Sequence, residues 1–159
     1  MLDIPHIELD GINHMENWQQ RPSAEFHAMV DARTESGRWI VDGNYSGLPA
    51  MLWPKATHLI WLSYSFPLVL GRGLKRTIRR VVTKEELFSG NVETFRQAFM
   101  SGDSVLHYMV VNFHRKRKAY RRTFKDDGTW GLEIVELTSP RETEAFLRRL
   151  EETAQPRPT

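Results

Sequence analysis

The 159-residue chain contains no cysteine, which excludes a disulfide framework and any thiolate metal site. It has no apolar run approaching the roughly 20 residues that a membrane-spanning helix requires. The opening Met-Leu-Asp-Ile-Pro-His lacks the basic, apolar and small-residue succession of a secretory leader. A soluble, cytoplasmic chain without a membrane partner is the expectation. The six histidines, His6, His14, His27, His58, His107 and His114, show neither a His-x-x-x-His nor a His-Glu-x-x-His spacing, so a zinc enzyme is not expected. Internal repeats and low-complexity segments are absent as well.

What is present is ordinary in amount and uneven in placement. A hydrophobic content of 40% and a charged content of 26% suit a globular protein, and the length suits one domain. That domain is expected over residues 1–153, with 154–159 as a disordered tail. The net charge of +2 hides an asymmetry: residues 1–50 carry eight acids and three bases, residues 72–122 four acids and thirteen bases. The second half is therefore the side that would face an anion.

Apolar runs alternate with helical periodicity along the chain. Residues 4–9 form a short apolar run closed by Asp10-Gly11, a strand ending in a turn. Pro22, the repeat of Phe26, Met29, Val30 and Arg33, and the stop at Gly37 predict a helix over 22–36. Trp39-Ile40-Val41 reads as a second strand running into Asp42-Gly43, and residues 57–62 as a third. Pro67 opens a helix in which Leu70, Leu74, Ile78, Val81 and Val82 share one face, with Arg72, Arg76, Arg79 and Arg80 opposite. Further helices are expected over 92–100, 103–124 and 140–152, and a fourth strand over 132–137. Trp39, Trp53 and Trp61, on or beside strands, read as core. Strands alternating with helices, each a continuous apolar run, predict an α/β fold: a three-layer parallel sheet with helices on both faces. In such a sheet ligands gather at the carboxyl ends of the strands.

Asp10 and Asp42 stand at those ends. Two carboxylates at one sheet edge suit a hydrated magnesium ion, and an Asp before a Gly equally suits a turn cap; spacing leaves both open. The arginines of residues 72–80 and the six bases among residues 115–122 (Arg115, Lys116, Arg117, Lys118, Arg121 and Arg122) could meet phosphates, because guanidinium forks match phosphate oxygens. A solvated helical face is the competing reading. Over 114–125 the bases alternate with Tyr120 and Phe124, which is also the composition of a nucleic-acid-binding helix.

The order of several motifs resembles the adenylate-kinase-like P-loop kinases, especially the bacterial group labelled topology modulation protein. These motifs are residues 5–10, Trp18 with Arg21-Pro22, Trp39 through Tyr45, Trp53-Pro54, Arg76 through Arg80, Glu86-Leu87 before Gly90-Asn91, and Ser139-Pro140-Arg141, and they cover most of the chain. The resemblance implies ATP-dependent phosphoryl transfer, with magnesium, to a nucleotide or small phosphate acceptor. It implies Asp42 as the residue ordering the magnesium shell and Arg76, Arg79, Arg80 and Arg115 as lid-side catalytic arginines. Asp10, Tyr45, Trp18 and Arg21 would be the acceptor-side residues. Ser46-Gly47 stand where adenylate kinases proper place an arginine.

The family's Gly-x-x-x-x-Gly-Lys-Ser/Thr loop is not in this sequence, since none of its ten glycines precedes a lysine. The loop's backbone nest, lysine and metal-binding hydroxyl are lacking with it. In the family's strand order the strand before that loop is the central one. Its lack predicts two unpaired inner edges, at about 1–3 kcal/mol for each group buried unsatisfied. A chain begun late in its gene, or a fragment, is the expectation from that pattern. The expected function is then a nucleotide-kinase-like protein, catalytically incomplete as it stands. A nucleic-acid-binding module, or a homodimer or second-chain assembly that completes the sheet, is the alternative.

Overall fold

The computed structural model describes residues 4–35, 37–99, 104–125 and 131–154; the expected tail lies outside them from residue 155 onward. Strand β1, His6–Glu8, runs directly into a single helical turn, α1, Leu9–Asn13. Helix α2, Ser23–Arg33, starts after Pro22, whose fixed φ suits a helix entrance. It ends earlier than its periodicity predicts because Thr34 folds back: its hydroxyl donates to the Val30 and Asp31 carbonyls at 3.0 and 3.1 Å. Strand β2, Ile40–Asp42, lies parallel to β1 with His6 opposite Ile40 and Glu8 opposite Asp42. Gly43 then turns the chain at φ +131°, where a Cβ would stand 2.8 Å from that of Leu9, so the Asp-Gly turn admits no side chain. A short helix, α3, Leu48–Leu52, follows.

These elements enclose the core. Ile7, Leu9, Ile12, Phe26, Val30, Leu48 and Leu52 are buried together, with Met29, Trp39, Val41, Tyr45, Met51 and Trp53 packed around them. Phe26 and Val30 are one helical turn apart on α2, which is why they reach the same cluster. Each such buried side chain contributes about 1.5–3 kcal/mol relative to exposure.

The second half is built on strand β3, His58–Leu62, and strand β4, Glu133–Leu137. They pair in parallel over their full lengths, with His58 opposite Glu133 and Leu62 opposite Leu137. Between them run α4, Phe66–Thr83, α5, Phe95–Phe99, and α6, Val105–Thr123; α7, Pro140–Ala154, closes the described chain. Helices α4 and α6 pack on each other. The buried residues of α4 are Gly73 and Thr77, whereas Leu74, Ile78 and Val82 of its predicted apolar face are 39%, 48% and 75% exposed. Periodicity located the stripe but not what covers it. Among the described residues no helix is long and apolar enough to cross a membrane.

The expected three-layer, P-loop-like sheet does not form. The strands make two separate two-stranded parallel sheets, β1–β2 and β3–β4, with seven α-helices among the described residues. The correction has a clear cause. An apolar run says that a strand will be buried, not which strand lies beside it, and β2 and β3 each have one strand neighbour rather than two. Nor are both faces covered, since Ile60 and Leu62 of β3 are 48% and 54% exposed.

Candidate functional site

The carboxyl ends of β1 and β2 bring Asp10 and Tyr45 together. Asp10, in the first turn of α1, accepts a 2.6 Å hydrogen bond from the Tyr45 hydroxyl. That hydroxyl accepts in turn from the Asn13 amide at 3.4 Å. Tyr45 packs its ring against Phe26, centroids 5.0 Å apart. Burial first, and the Asp10 carboxylate second, push the Tyr45 pKa well above the ordinary tyrosine range, because both disfavour a phenolate. Asp42 faces elsewhere: its carboxylate lies 3.9 Å from His6 Nε2, both side chains largely exposed. No group of three or more His, Asp or Glu able to hold a metal occurs among the described residues. Asp10 is thus hydrogen-bonded to a tyrosine, and Asp42 lies beside a histidine.

Trp18 and Arg21 serve the loops that flank this end. Trp18 donates its backbone N–H to Asn91 Oδ1 at 2.9 Å and its indole N–H to the Val92 carbonyl at 3.4 Å. Arg21 donates Nε–H to the Ile12 carbonyl at 2.9 Å and pairs with Glu25. The segments 14–20 and 86–92 are matching tight loops, each closed by an antiparallel bridge, His14 to Gln20 and Glu86 to Val92. Each places residues in the left-handed region, Asn17 and Trp18 in the first, Ser89 and Gly90 in the second. Sequence reading gave Trp18 and Arg21 to an acceptor; in the structure both Trp18 N–H groups, and the Nε–H of Arg21, bond within the chain. Nothing in periodicity signals such loop-to-loop ties, which join residues more than 70 positions apart.

The arginines named as lid-side do not converge on either aspartate. Arg79 donates to Glu85 at 2.9 Å, Arg115 is hydrogen-bonded to Asn112, Arg76 is exposed and Arg80 half-buried on α4. No hydrogen bond or ion pair joins any of them to Asp10 or Asp42.

A different basic set does come together. His114, Arg117, Lys118, Arg121, Arg122 and Lys125 surround a hollow of about 260 Å³ with no carboxylate in its walls among the described residues. They recur at i, i+3, i+4, i+7, i+8 and i+11, one face of a helix, a spacing legible in the sequence that excludes Arg115. The aromatics expected to interleave with them point away. Tyr120 and Phe124 pack on Trp61, centroids 5.9 and 5.4 Å apart, and burial raises the Tyr120 pKa. Arg117 lies partly inward, donating to the Tyr64 carbonyl at 3.4 Å with its guanidinium over Phe113. The hollow can therefore hold an anion by charge and by multiple N–H donors, without a stacking platform. No protein-family model, curated protein or solved structure matches this chain.

Proposed function

We propose that this chain binds phosphate groups of a nucleotide-type anion at the basic hollow on α6, as a nucleotide-kinase-like protein that does not transfer the phosphoryl group by itself. The observation that carries the reading is the convergence of His114, Arg117, Lys118, Arg121, Arg122 and Lys125 around one hollow, with no carboxylate beside them among the described residues. Like charges held side by side repel one another, and a bound polyanion turns that repulsion into attraction. The ordered motifs shared with nucleotide kinases favour a nucleotide. The lack of a Gly-x-x-x-x-Gly-Lys-Ser/Thr loop in the sequence argues against transfer, since that loop supplies the oriented N–H groups and lysine that stabilise the moving charge. A second reading, a nucleic-acid strand along the same face, is favoured by its extent: residues 114–123 of α6 span about 14 Å of helix, with Lys125 beyond them, longer than one mononucleotide needs.

Titration with tripolyphosphate, Mg-ATP and a short single-stranded RNA at low salt tests both. Tripolyphosphate and Mg-ATP should bind with a Kd near ~1 mM, about −4 kcal/mol. Lys118→Ala/Arg121→Ala/Arg122→Ala should abolish that binding. RNA binding that is much tighter, with a salt slope near −4 as expected for about six neutralised phosphates, would select the second reading. Micromolar Mg-ATP binding that survives the triple substitution, or no response to any of the three anions, would overturn the assignment of this face.

A further inference from the structure

Between the two strand pairs lies a groove of about 390 Å³, walled by β2 with its flanks on one side and by the whole of β3 on the other. The pairing register fixes which backbone groups face it. In a parallel ladder a residue's N–H and C=O point to the same side, alternating along the strand. Ile40 donates to the Pro5 carbonyl, so Ile40 and Asp42 turn toward β1. Trp39, Val41 and Gly43 therefore turn their N–H and C=O groups away from it. Glu133 donates to the Thr57 carbonyl and Ser63 to that of Leu137, so Thr57, Leu59, Trp61 and Ser63 turn toward β4. His58, Ile60 and Leu62 turn away. The groove walls include all six of these outward-turned residues, and none of their backbone groups has a backbone partner among the described residues. Two strand edges thus face one slot, each offering an alternating ladder of donors and acceptors.

Much of the rest of the wall is apolar: Leu48, Leu52, Trp53 and Phe124 contribute to it, beside the polar side chains of Asn44, Tyr45 and Tyr120, and no Asp, Glu, Lys or Arg lines it among the described residues. Ile40, Ile60 and Leu62 are 45%, 48% and 54% exposed beside it. Unpaired edges with exposed β-branched and leucine side chains are normally blunted by charge, proline or a covering element. Among the described residues none of these protects the free edge of β3.

We infer that this groove is a docking site for an extended, uncharged, apolar segment of a partner polypeptide, whose backbone bonds to the free edges of both β2 and β3. The ladders select the occupant. A helix keeps its backbone groups to itself and would leave both edges unsatisfied, whereas an extended chain presents donors and acceptors on both sides at once. β3 is five residues long, which sets the length of the paired core. The inference is independent of the phosphate-binding reading, whose residues lie on a separate wall.

The test uses the full chain and a synthetic peptide, acetyl-Lys-Lys-Val-Ile-Val-Ile-Val-Lys-Lys-amide, with a version N-methylated at alternate Val and Ile residues. The methylated peptide keeps the side chains and loses the donors toward one edge. Amide hydrogen exchange is followed at Trp39, Val41, Gly43, His58, Ile60 and Leu62, together with tryptophan fluorescence, since Trp39, Trp53 and Trp61 all line the groove. These six amides should exchange freely in the chain alone and slow at least tenfold with the peptide. N-methylation should weaken saturable binding by tenfold or more. Equal binding of both peptides, or fluorescence change without protection of these amides, would overturn the inference. So would protection in the absence of peptide together with a dimer mass by light scattering, because a second copy would then fill the groove.

Discussion

Tyr45 shows how one side chain can be read twice. Its place after the Asp-Gly turn marked it as acceptor-side, yet its hydroxyl is committed to Asp10 and Asn13 and its ring to the core. The raised pKa has a consequence for stability. Burial and Asp10 hold the phenol protonated in the folded state, while in the unfolded chain a tyrosine releases its proton near pH ~10. Between those two points unfolding releases a proton, so stability is intact below the unfolded value and falls as pH rises above it. Tyr45→Phe cannot lose that proton in either state. Urea midpoints measured near pH ~8 and pH ~11 should therefore drop more for the wild-type chain than for the variant. Equal drops would mean that the hydroxyl is not held as described. Gly43 is the neighbouring case where sequence sufficed: Asp-Gly indicated a turn, and the close approach of Leu9 is the physical reason that a glycine stands there.

At the scale of elements, the two tight loops depend on Asn91. Its buried side chain accepts from the Trp18 N–H at 2.9 Å and donates to the Met15 and Phe88 carbonyls at 2.8 and 2.6 Å. Ser89 adds a 2.8 Å hydrogen bond to the His14 carbonyl. Asn91→Ala would leave the Trp18 N–H and the Met15 carbonyl without a partner, while the Phe88 carbonyl keeps the Asn91 backbone N–H, a loss of about 1–3 kcal/mol. Asn91→Asp keeps the acceptor but sets a charge against two carbonyls, so it should fare no better. A denaturation midpoint unmoved by both substitutions would show that water replaces the amide without cost. This tie was invisible in the sequence, where Asn91 reads only as a turn residue.

The longer regular elements, by contrast, were legible, unlike the short helices α1 and α3. The predicted strand over 57–62 contains β3, and the run over 132–137 contains β4. Helices α2, α4 and α7 each begin within a residue or two of Pro22, Pro67 and Pro140, because proline's fixed φ and missing N–H mark a helix entrance wherever it falls. Two things were not legible. Pairing depends on what lies beside a strand, so four apolar runs were read as one sheet where two form. Side-chain direction on α6 depends on which face β3 takes. That choice turned Tyr120 and Phe124 inward and left the basic residues around their own hollow.

For the molecule as a whole, the distribution of buried apolar side chains is lopsided. The cluster of Ile7, Leu9, Ile12, Phe26, Val30, Leu48 and Leu52 lies entirely before β3. After it the buried hydrophobics among the described residues are Tyr64, Ala98, Leu132 and Leu137. Several apolar residues on α4, α5, α6 and the groove edge stay exposed, Val82, Phe95, Val111 and Leu62 among them. Local stability follows local burial. Native-state hydrogen exchange should therefore be slowest in β1, α1 and the Phe26–Val30 turn of α2, and several-fold faster along α4, despite the greater length of α4. Helix length alone would predict the opposite, since longer helices hold more cooperative hydrogen bonds. Uniform protection across both halves would show that the second half finds its stability elsewhere than in a buried core. If the apolar peptide slows exchange in α6 as well as at the groove edges, the thin half of the molecule is stabilised through Trp61 and the aromatic residues of α6 that pack on it.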